Sequence, residues 1–575
     1  MISERIFPAW SNAERLEASL GDPFTAASPL SFARAMSDDE LEAYPEAAIA
    51  ALHERGYQYH FVPSSDGGRL TSLEEALALV RVVSRRDLTV AIALGQTFLG
   101  SVPVWLGGDS VQRADAARLA LSGAQMALAL TEEPHGADLL ACEVRADVVT
   151  DGYRLDGTKW LINNGTRGSA FSVFVRTDSR GGPRGFSLLF VKRPESPSQG
   201  VTSLEKLRTH GIRGADISGL RFENAEVARA ACLGQVGSGL ELLLKALQIT
   251  RTGCTAFSLG AADTALRLAL DFVRTRTLYG AAAWQLPHVR SSLVDAFLDL
   301  LIAEAVTLTA TRVLHVAPEQ APVSAAVAKY QVPVRLERVV RELGTVIGAR
   351  HYLRQGLAHG VFQKIARDVA VVSLFDGSAA VNLDTLSSQI PSVLRRPSVD
   401  DAAPAVFALD EALPPLNARR FSAFTTRDDV MTVLRNDRVL TRLDALAVDI
   451  PAAAEAKRQL APLMEELASM GPWLDDFLKR AKLEAARSAP MLDAARRYTD
   501  LWAAAALVQL WLHNRERGGP FLREGAWLGP ALARLNAVTP RARPAAESVL
   551  ADHLVRLHDE GRAFSFVPIV LPPRS

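Results

Sequence analysis

The chain has 575 residues, which is too long for a single compact core, so we expect several domains. Its 64 basic and 64 acidic side chains give a formal net charge of zero, and no basic stripe indicates a nucleic-acid-binding protein. Three scattered cysteines exclude a disulfide framework and a zinc site.

The N-terminal sequence and an internal apolar run are the candidate signals for secretion or membrane insertion. The N-terminal sequence MISERIFPAW has no basic region followed by an apolar run, so no signal peptide is predicted and we expect a cytoplasmic protein. The apolar run at 501–512 is too short to cross a bilayer and is interrupted by Gln509. We therefore predict no membrane span.

Hydrophobic periodicity divides the chain into helical and strand-rich regions. An irregular arm is expected over 1–28, and a helical pattern follows over 29–122. Residues 125–232 carry strand and turn signals, including a hairpin around Gly181-Gly182. Long amphipathic helices are predicted at 239–247, 254–275, 286–314 and 323–346. Pro391, Arg395-Arg396-Pro397 and 400–404 then predict a linker to about 170 further, mostly helical residues.

The segment 129–165 is the most informative part of the chain. It reads ALTEEPHGADLLA, then a short strand-like run, then DGYRLDGTKWLINNG. Asp151-Gly152 and Asp156-Gly157 are typical of hairpin turns, and nearby residues have strand-like types, namely Tyr153, Leu155, Trp160 and Ile162. A β-module between two helical regions is uncommon, so this segment narrows the fold.

Four later segments, taken in order, strengthen the pattern. They are KLRTHGIRGADISGLRFENAEV at 206–227, LGQVGSGLELLL at 233–244, RTRTLYG at 274–280 and IARDVAVVSLFDGS at 365–378. Together with the 129–165 segment they resemble the acyl-CoA dehydrogenases in family order and with family spacing. The resemblance covers roughly residues 30–395.

This resemblance implies a mainly α-helical fold with a β-barrel. The implied domains are an N-terminal helical domain at 1–124, a middle β-barrel at 125–235, a helix bundle at 236–395 and a helical extension at 396–575. Long-chain acyl-CoA dehydrogenases and acyl-CoA oxidases carry extensions of similar position and length.

In the family, a carboxylate removes the α-proton of an acyl thioester while FAD accepts the β-hydride. The resemblance places that carboxylate at Asp376, one methylene shorter than the family glutamate, with the Gly377 N–H as an oxyanion donor. Ser378 keeps the hydroxyl of a family threonine and is assigned to the cofactor. The alternative from the residues alone is that Asp376 caps the following helix and Phe375 packs in the core.

Three further positions concern the substrate side. Thr250 stands where some relatives carry a second carboxylate, so that alternative base is absent. Arg251 and Asp138 match substrate-side positions of the family, although Arg251 is equally interpreted as a salt-bridging residue on a helix face. His135 lies in the same loop as Asp138 and is expected to be solvated.

The flavin ring is assigned to residues of the β-module. Backbone groups of Leu130 and Thr131 are expected at the pyrimidine edge, Leu161 on the ring and Asn163 near N5. Strand alternation predicts Leu161 and Asn163 on one face and Trp160 and Ile162 on the other, so Trp160 would replace the stacking aromatic of the family only at a bulge. Ala137 replaces a phosphate-binding serine.

The adenine half of the cofactor site matches the family less well. Arg276 and Tyr279 match residues that contact the FAD phosphate and adenine. Pro287 replaces a glutamine, and His351 replaces a glycine that allows close approach. No His or Cys lies at ligand spacing from the acidic cluster at 132–138, so no metal is predicted.

Three functions stay open at this point. The first is FAD-dependent dehydrogenation of an acyl thioester carried by CoA or an acyl carrier protein, with an unknown electron acceptor. The second is a flavin oxidase or monooxygenase on the same fold, since a nitroalkane-oxidising branch also uses an aspartate base. The third is a catalytically silent binding or assembly protein. The extension carries amphipathic segments at 452–470 and 495–512, which we expect to pack on the bundle and leave a homodimer.

Overall fold

The computed structural model describes residues 7–178, 180, 182–396, 404–424, 430–480, 487–536 and 544–574. The chain forms two compact units. We call Pro29–Thr71 and Asp87–Thr250 the sheet unit, and Met1–Ser28, Ser72–Arg86 and Arg251–Ser575 the bundle unit. The predicted order of helices, β-domain, helix bundle and helical extension is confirmed, and the β-domain is a curled half-barrel sheet.

The helices of the described residues are numbered in chain order. They are α1 Ser11–Leu20, α2 Phe32–Glu40, α3 Glu46–Glu54, α4 Leu73–Ser84, α5 Leu88–Gly107, α6 Ser110–Leu121, α7 Gly239–Gly253, α8 Thr255–Thr275, α9 Pro287–Val316, α10 Ala321–Ile347, α11 Val361–Val369, α12 Ala379–Leu394, α13 Arg438–Ala447, α14 Pro451–Arg480, α15 Ala489–Asn514, α16 Pro520–Glu524, α17 Leu528–Leu535 and α18 Pro544–Asp559.

The strands are β1 Met126–Ala129, β2 Arg145–Val149, β3 Gly152–Asn163, β4 Ala170–Arg176, β5 Phe186–Lys192, β6 Val201–Leu204, β7 Ile217–Ala228, and the short pair β8 Thr277–Leu278 and β9 Ala281–Ala282. The first seven form one sheet in the order β1-β4-β2-β3-β7-β6, with β5 paired to β4. β1 runs parallel to β4, while the β2–β3, β3–β7, β4–β5 and β6–β7 pairs are antiparallel.

The sheet unit is organised around the inner face of its sheet. Alternate residues of the strands form an apolar core that includes Leu155, Ile162, Phe171, Val173 and Leu220. This alternation is what a sheet with one covered face requires.

Helix α5 packs against β1 and β4 at very close range. A Cβ at Gly100 would lie 2.6 Å from the Ala127 backbone, and the Ser172 hydroxyl donates to the Gly100 carbonyl at 2.7 Å. Only glycine permits this approach. By length and mean hydropathy (1.5), α5 would also qualify as a membrane-crossing helix, which the sequence prediction overlooked. Its apolar window is 61% buried inside the protein, as in the core helix of a soluble domain.

The N-terminal arm contains a helix, so the prediction of an irregular segment over 1–28 is wrong. Helix α1 buries Leu16 and Leu20. The buried Glu17 carboxylate accepts hydrogen bonds from Arg85 Nη1 at 2.8 Å and Arg86 Nη2 at 3.0 Å. These partners are distant in sequence, which is why a pattern confined to the arm did not reveal the helix.

The C-terminal extension shares the core of the bundle unit. Helix α15 packs against α9 and α12, and both Trp502 and Trp511 are fully buried, as predicted for core packing. The buried Arg312 guanidinium contacts Glu74 at 2.8 Å and donates to the carbonyl oxygens of Ala405, Ala408 and Glu411. Residues 405–411 of the extension are therefore hydrogen-bonded to α9 through one arginine.

Of the two predicted Asp-Gly turns, one joins two strands and the other lies within a strand. Asp151-Gly152 does join β2 to β3, but Asp156-Gly157 lies inside β3, where Gly157 has φ +128° at a register shift and the strand stays paired with β7. Pro391 lies within α12 and does not end it, because Ile390, Val393 and Leu394 remain buried around it. Gly181, Pro397 and residues 400–403 lie outside the described residues.

Candidate active site

The turn 374–378 presents Asp376 on a strained backbone in the bundle unit. Asp376 has φ +55° and Gly377 has φ +91°. Both values lie in the left-handed backbone region, which residues other than glycine rarely adopt. The cap of α12 is Ser378, whose hydroxyl accepts from the Val381 N–H at 3.4 Å. The alternative that Asp376 caps the helix is therefore wrong.

Arg251 clasps this turn from the end of α7. Its Nε donates to the Asp376 carbonyl at 3.1 Å. A Cβ at position 377 would lie 2.7 Å from Nη2 of the same guanidinium, so the close contact requires Gly377. Burial lowers the pKa of Arg251, and the nearby Asp376 carboxylate opposes that change. Arg251 thus contributes a hydrogen bond and a positive charge next to the carboxylate.

The Gly377 amide is available to a ligand. Within the described part of the chain its N–H donates to no other group, while its carbonyl accepts from Asn382 Nδ2 at 2.9 Å. The turn therefore offers a carboxylate and a backbone donor on adjacent residues. This pair can stabilise a developing oxyanion and accept a proton.

The sequence analysis missed two residues at this turn: Cys254 contacts the Asp376 carboxylate, and Lys329 contacts the residues just before it. The Cys254 thiol donates to Asp376 Oδ2 at 3.5 Å, and burial raises the pKa of this thiol to about 12. Lys329 is fully buried, donates to the Val372 carbonyl at 2.6 Å and lies 4.5 Å from the centre of the Phe375 ring. Phe375 also packs against Phe257, as the core-packing alternative predicted.

A bulge in β3 changes the predicted faces of the sheet-unit residues. Trp160 pairs with Gly219 and Ile162 with Ser218, which leaves Leu161 unpaired at φ +55° and 43% exposed. A bulge brings two consecutive side chains to one side. Ile162 is buried in the sheet core while Trp160 is only half-buried, so the predicted grouping of Trp160 with Ile162 is wrong.

Leu130 and Thr131 lie beside this bulge. The Trp160 N–H donates to the Thr131 carbonyl at 2.8 Å, and Lys159 Nζ donates to the Leu130 carbonyl at 3.0 Å. Both carbonyls are thus used inside the protein. Asn163 is half-buried, and its buried Oδ1 has no hydrogen-bond partner among the described residues. An orphaned amide next to an exposed bulge fits a hydrogen-bonding ligand such as a flavin ring.

The loop 133–138 is exposed except for His135. Asp138 precedes a short 3-10 turn at Leu139–Ala141, and Ala137 is exposed. His135 Nε2 lies 2.9 Å from Glu143 Oε1, so the imidazole is engaged by a neighbouring carboxylate instead of being solvated as expected.

The predicted adenine-side residues lie on the surface of the bundle unit. Arg276 and Tyr279 belong to the β8–β9 hairpin, where Tyr279 has φ +52° and is 95% exposed. Pro287 is the first residue of α9. His351 folds back on its own loop, with Nδ1 2.6 Å from the Gly348 carbonyl and its ring against Phe362, so the imidazole is held within the loop.

The predicted residues therefore form separate groups. The bundle unit brings Arg251, Asp376, Gly377 and Ser378 together, while Arg276 and Tyr279 occupy its surface hairpin. The sheet unit brings Leu130 and Thr131 next to the strand that carries Leu161 and Asn163.

Two regions of the chain match domain families of known proteins. Residues 127–225 match the acyl-CoA dehydrogenase middle domain, and residues 237–390 match the acyl-CoA dehydrogenase C-terminal domain. These two regions of the chain belong to the acyl-CoA dehydrogenase superfamily. The recognition made from the motifs is thereby confirmed.

Among the relatives of this superfamily member is a probable acyl-CoA dehydrogenase, FadE25, of Mycobacterium tuberculosis, 25% identical over 61% of this chain and 88% of the relative. Another is the cyclohex-1-ene-1-carbonyl-CoA dehydrogenase of Geobacter metallireducens, 26% identical over 60% of this chain and 90% of the relative. The butyryl-CoA dehydrogenase of Megasphaera elsdenii has a similar fold, with a TM-score of 0.59 at 23% identity over 65% of this chain and 96% of its own.

Weak sequence signals existed for the two residues that were missed. Cys254 follows Arg251 by three residues, which is one helical turn. Lys329 is a single charge in the apolar run SAAVAKY, in a chain with only nine lysines. A lone charge on an apolar helix face predicts a specific buried partner.

Proposed function

We propose that this protein is an FAD-dependent oxidoreductase that introduces an α,β double bond into an acyl thioester carried by CoA or an acyl carrier protein. The observation that carries the proposal is the turn at Asp376-Gly377, where a carboxylate adjoins a backbone N–H that donates to no group of the described residues. Membership of the acyl-CoA dehydrogenase superfamily supports the same reaction.

The chain's own residues would act as follows. The Gly377 N–H donates to the thioester oxygen and stabilises the negative charge that develops there. The Asp376 carboxylate accepts the α-proton. Arg251 keeps the turn in its left-handed conformation. FAD, when bound, supplies acceptance of the β-hydride.

We assign the isoalloxazine ring to Thr131, Leu161 and Asn163, and Trp160 joins them because the bulge places it beside Leu161. In the bundle unit, the hydroxyl of Ser378 is likewise assigned to the cofactor. Arg276 and Tyr279 are assigned to the diphosphate and adenine, for which an exposed cation and an exposed aromatic ring are suitable partners.

Absorbance of the purified protein after incubation with FAD tests the cofactor and the reaction together. We expect flavin bands that bleach when an acyl-CoA or an acyl-pantetheine thioester is added without oxygen. The double variant Arg276→Ala, Tyr279→Ala should weaken FAD binding. Protein that stays colourless with excess FAD would favour the catalytically silent alternative.

A flavin oxidase is the second candidate, because Asp376 holds a carboxylate one methylene shorter than glutamate. Oxygen consumption and peroxide formation during turnover distinguish the two. Turnover with a dye acceptor and little oxygen uptake supports the dehydrogenase, whereas stoichiometric peroxide supports the oxidase.

We further propose that the protein is a cytoplasmic homodimer. The buried Trp502 and Trp511 and the Arg312 clasp support a role for the extension in covering the bundle. Deletion of residues 404–575 should expose this apolar surface and give aggregates or tetramers in sedimentation. A soluble dimer that the deletion leaves unchanged would contradict this role, and cell fractionation tests the location.

A further inference from the structure

We propose that Cys254 is a positioning residue for Asp376: its thiol holds the carboxylate in place for proton abstraction, and Lys329 fixes the thiol and the turn from behind. This inference rests on the proposed function, in which Asp376 is the base. It adds two side chains that no family motif pointed to.

The location of Cys254 makes it suited to this task. It occupies the break between α7 and α8, where the backbone is anchored by the Phe257 N–H donating to the Cys254 carbonyl at 3.2 Å. The residue is buried, and its Sγ lies 3.5 Å from Asp376 Oδ2. Arg251, three residues earlier, holds the Asp376 carbonyl. The segment 251–254 therefore contacts both the backbone carbonyl and the side-chain carboxylate of Asp376.

The thiol acts as a donor throughout the physiological pH range. Burial and the Asp376 carboxylate raise the pKa of Cys254 to about 12, although the Lys329 ammonium opposes this. A protonated thiol is a weak donor. At the oxygen that it contacts, such a donor orients the carboxylate while stabilising the ionised form less than a charged donor at that oxygen would.

Lys329 completes the arrangement from α10. Its ammonium donates to the Val372 carbonyl at 2.6 Å and lies over the ring of Phe375, and these two residues precede Asp376 in the chain. Lys329 therefore holds Val372 and Phe375, which lead into the turn. Among the described residues, Arg251 from α7 and Cys254 from the helix junction lie next to Asp376, and Lys329 from α10 lies next to the Cys254 thiol.

A shortened base needs such positioning more than a glutamate does. The Asp376 side chain starts from a left-handed backbone, so its direction depends on the contacts made at the carboxylate. Misplacement by about 1 Å can reduce a rate by about 100-fold. Loss of one weak contact should cost less than that limit.

The kinetic test compares Cys254→Ala, Cys254→Ser and the control Cys142→Ser, all in full-length protein loaded with FAD. For Cys254→Ala we expect kcat to fall about 10-fold with little change in KM, and the acid limb of the pH profile to move to higher pH, because a donor to the ionised carboxylate is lost. Cys254→Ser keeps a donor and should restore most of kcat. Cys142→Ser, which alters a buried thiol outside the turn, should leave the acid limb in place.

Infrared spectroscopy of the S–H stretch tests the contact without turnover. Cys254→Ser identifies the band, and Asp376→Asn should move it to higher frequency because an amide oxygen accepts more weakly than a carboxylate. A band that Asp376→Asn does not move, or a Cys254→Ala enzyme with the parental kcat and pH profile, would overturn the positioning role. If the band moves but Asp376→Asn retains full turnover, the contact stands and the proposed base is wrong.

Discussion

Two buried clusters of this chain use the same three residue types, a lysine, a cysteine and a carboxylate, but they connect them differently. In the sheet unit, Lys159 Nζ contacts Glu132 Oε1 at 2.7 Å and Cys142 Sγ at 3.4 Å. In the bundle unit, Lys329 donates to the Val372 carbonyl and hydrogen-bonds the Cys254 thiol, and this thiol in turn contacts the Asp376 carboxylate.

The Glu132 carboxylate accepts hydrogen bonds from a lysine, two backbone amides and a thiol. Besides Lys159, it accepts from the Glu143 N–H at 2.7 Å, the Val144 N–H at 3.1 Å and the Cys142 thiol at 3.2 Å. Burial opposes ionisation, but Lys159 and the two amides hold the pKa of Glu132 below its ordinary value. Such a carboxylate stabilises the fold and is a poor base.

The Asp376 carboxylate faces a thiol, and the neighbouring lysine is directed to the Val372 carbonyl. The same residue types thus give a structural carboxylate in one unit and a candidate base in the other. The difference lies in donor strength at the carboxylate, which composition and spacing alone do not show.

The largest expected effect separates the two carboxylates by activity. Asp376→Asn removes the proton acceptor and should lower kcat about 1,000-fold while the FAD spectrum and the melting temperature stay near those of the parent. Glu132→Gln should lower the melting temperature but leave the rate per folded, FAD-loaded molecule within a few-fold. Steady-state kinetics with matched flavin content measures both.

The extended variant Asp376→Glu sharpens this result. If the shortened carboxylate limits the reaction on ordinary acyl-CoA substrates, Asp376→Glu should raise the rate. Parental kcat in Asp376→Asn would show that another group accepts the proton, and the contrast between the clusters would then be one of stability only.

The second prediction separates the two lysines by stability. Lys159→Met leaves the buried Glu132 without its counter-charge and should destabilise the sheet unit by about 3–5 kcal/mol. Lys329→Met leaves the Val372 carbonyl unsatisfied and removes a contact to the Cys254 thiol, which should cost about 1–3 kcal/mol. Urea unfolding followed by circular dichroism measures both, and equal losses would mean that the two lysines do the same work.

The order of the elements could be predicted from the sequence, because hydrophobic periodicity and turn residues are properties of neighbouring positions. Asp376, Gly377 and Arg251 were assigned through the resemblance to the acyl-CoA dehydrogenases, and the structure brings these three residues together. Their catalytic roles stay predictions.

The rest depended on contacts between distant positions. The bulge at Leu161 arises from pairing with β7, and the Cys254 and Lys329 contacts join residues far apart in the chain. The same holds for α1, whose Glu17 accepts hydrogen bonds from Arg85 and Arg86, the two residues that follow α4. No periodicity within one segment carries this information.

The third prediction concerns acid stability of the sheet-unit cluster. Because the folded-state pKa of Glu132 is lowered, its stabilisation is present above the unfolded value near pH 4.3 and is lost as pH falls through the lowered folded value. The melting temperature of the parent should therefore fall more steeply below about pH 4.3 than that of Glu132→Gln. Parallel curves for the two proteins between pH 7 and pH 3 would contradict an ionised, strongly bonded Glu132.

The smallest expected effect concerns Ser378, which adjoins Asp376 and has two assigned roles. As the cap of α12 its hydroxyl accepts from the Val381 N–H, so Ser378→Ala should cost about 1 kcal/mol of stability. As a cofactor contact the hydroxyl would donate a hydrogen bond to FAD, and its loss would weaken FAD binding.

A second variant, Ser378→Asp, separates the two roles, because it keeps the cap but places a negative charge near the cofactor. If only capping matters, Ser378→Asp restores the melting temperature and both variants bind FAD with parental affinity. If the cofactor contact matters, both variants bind FAD more weakly in titration, and Ser378→Asp is the worse of the two although it is the more stable protein.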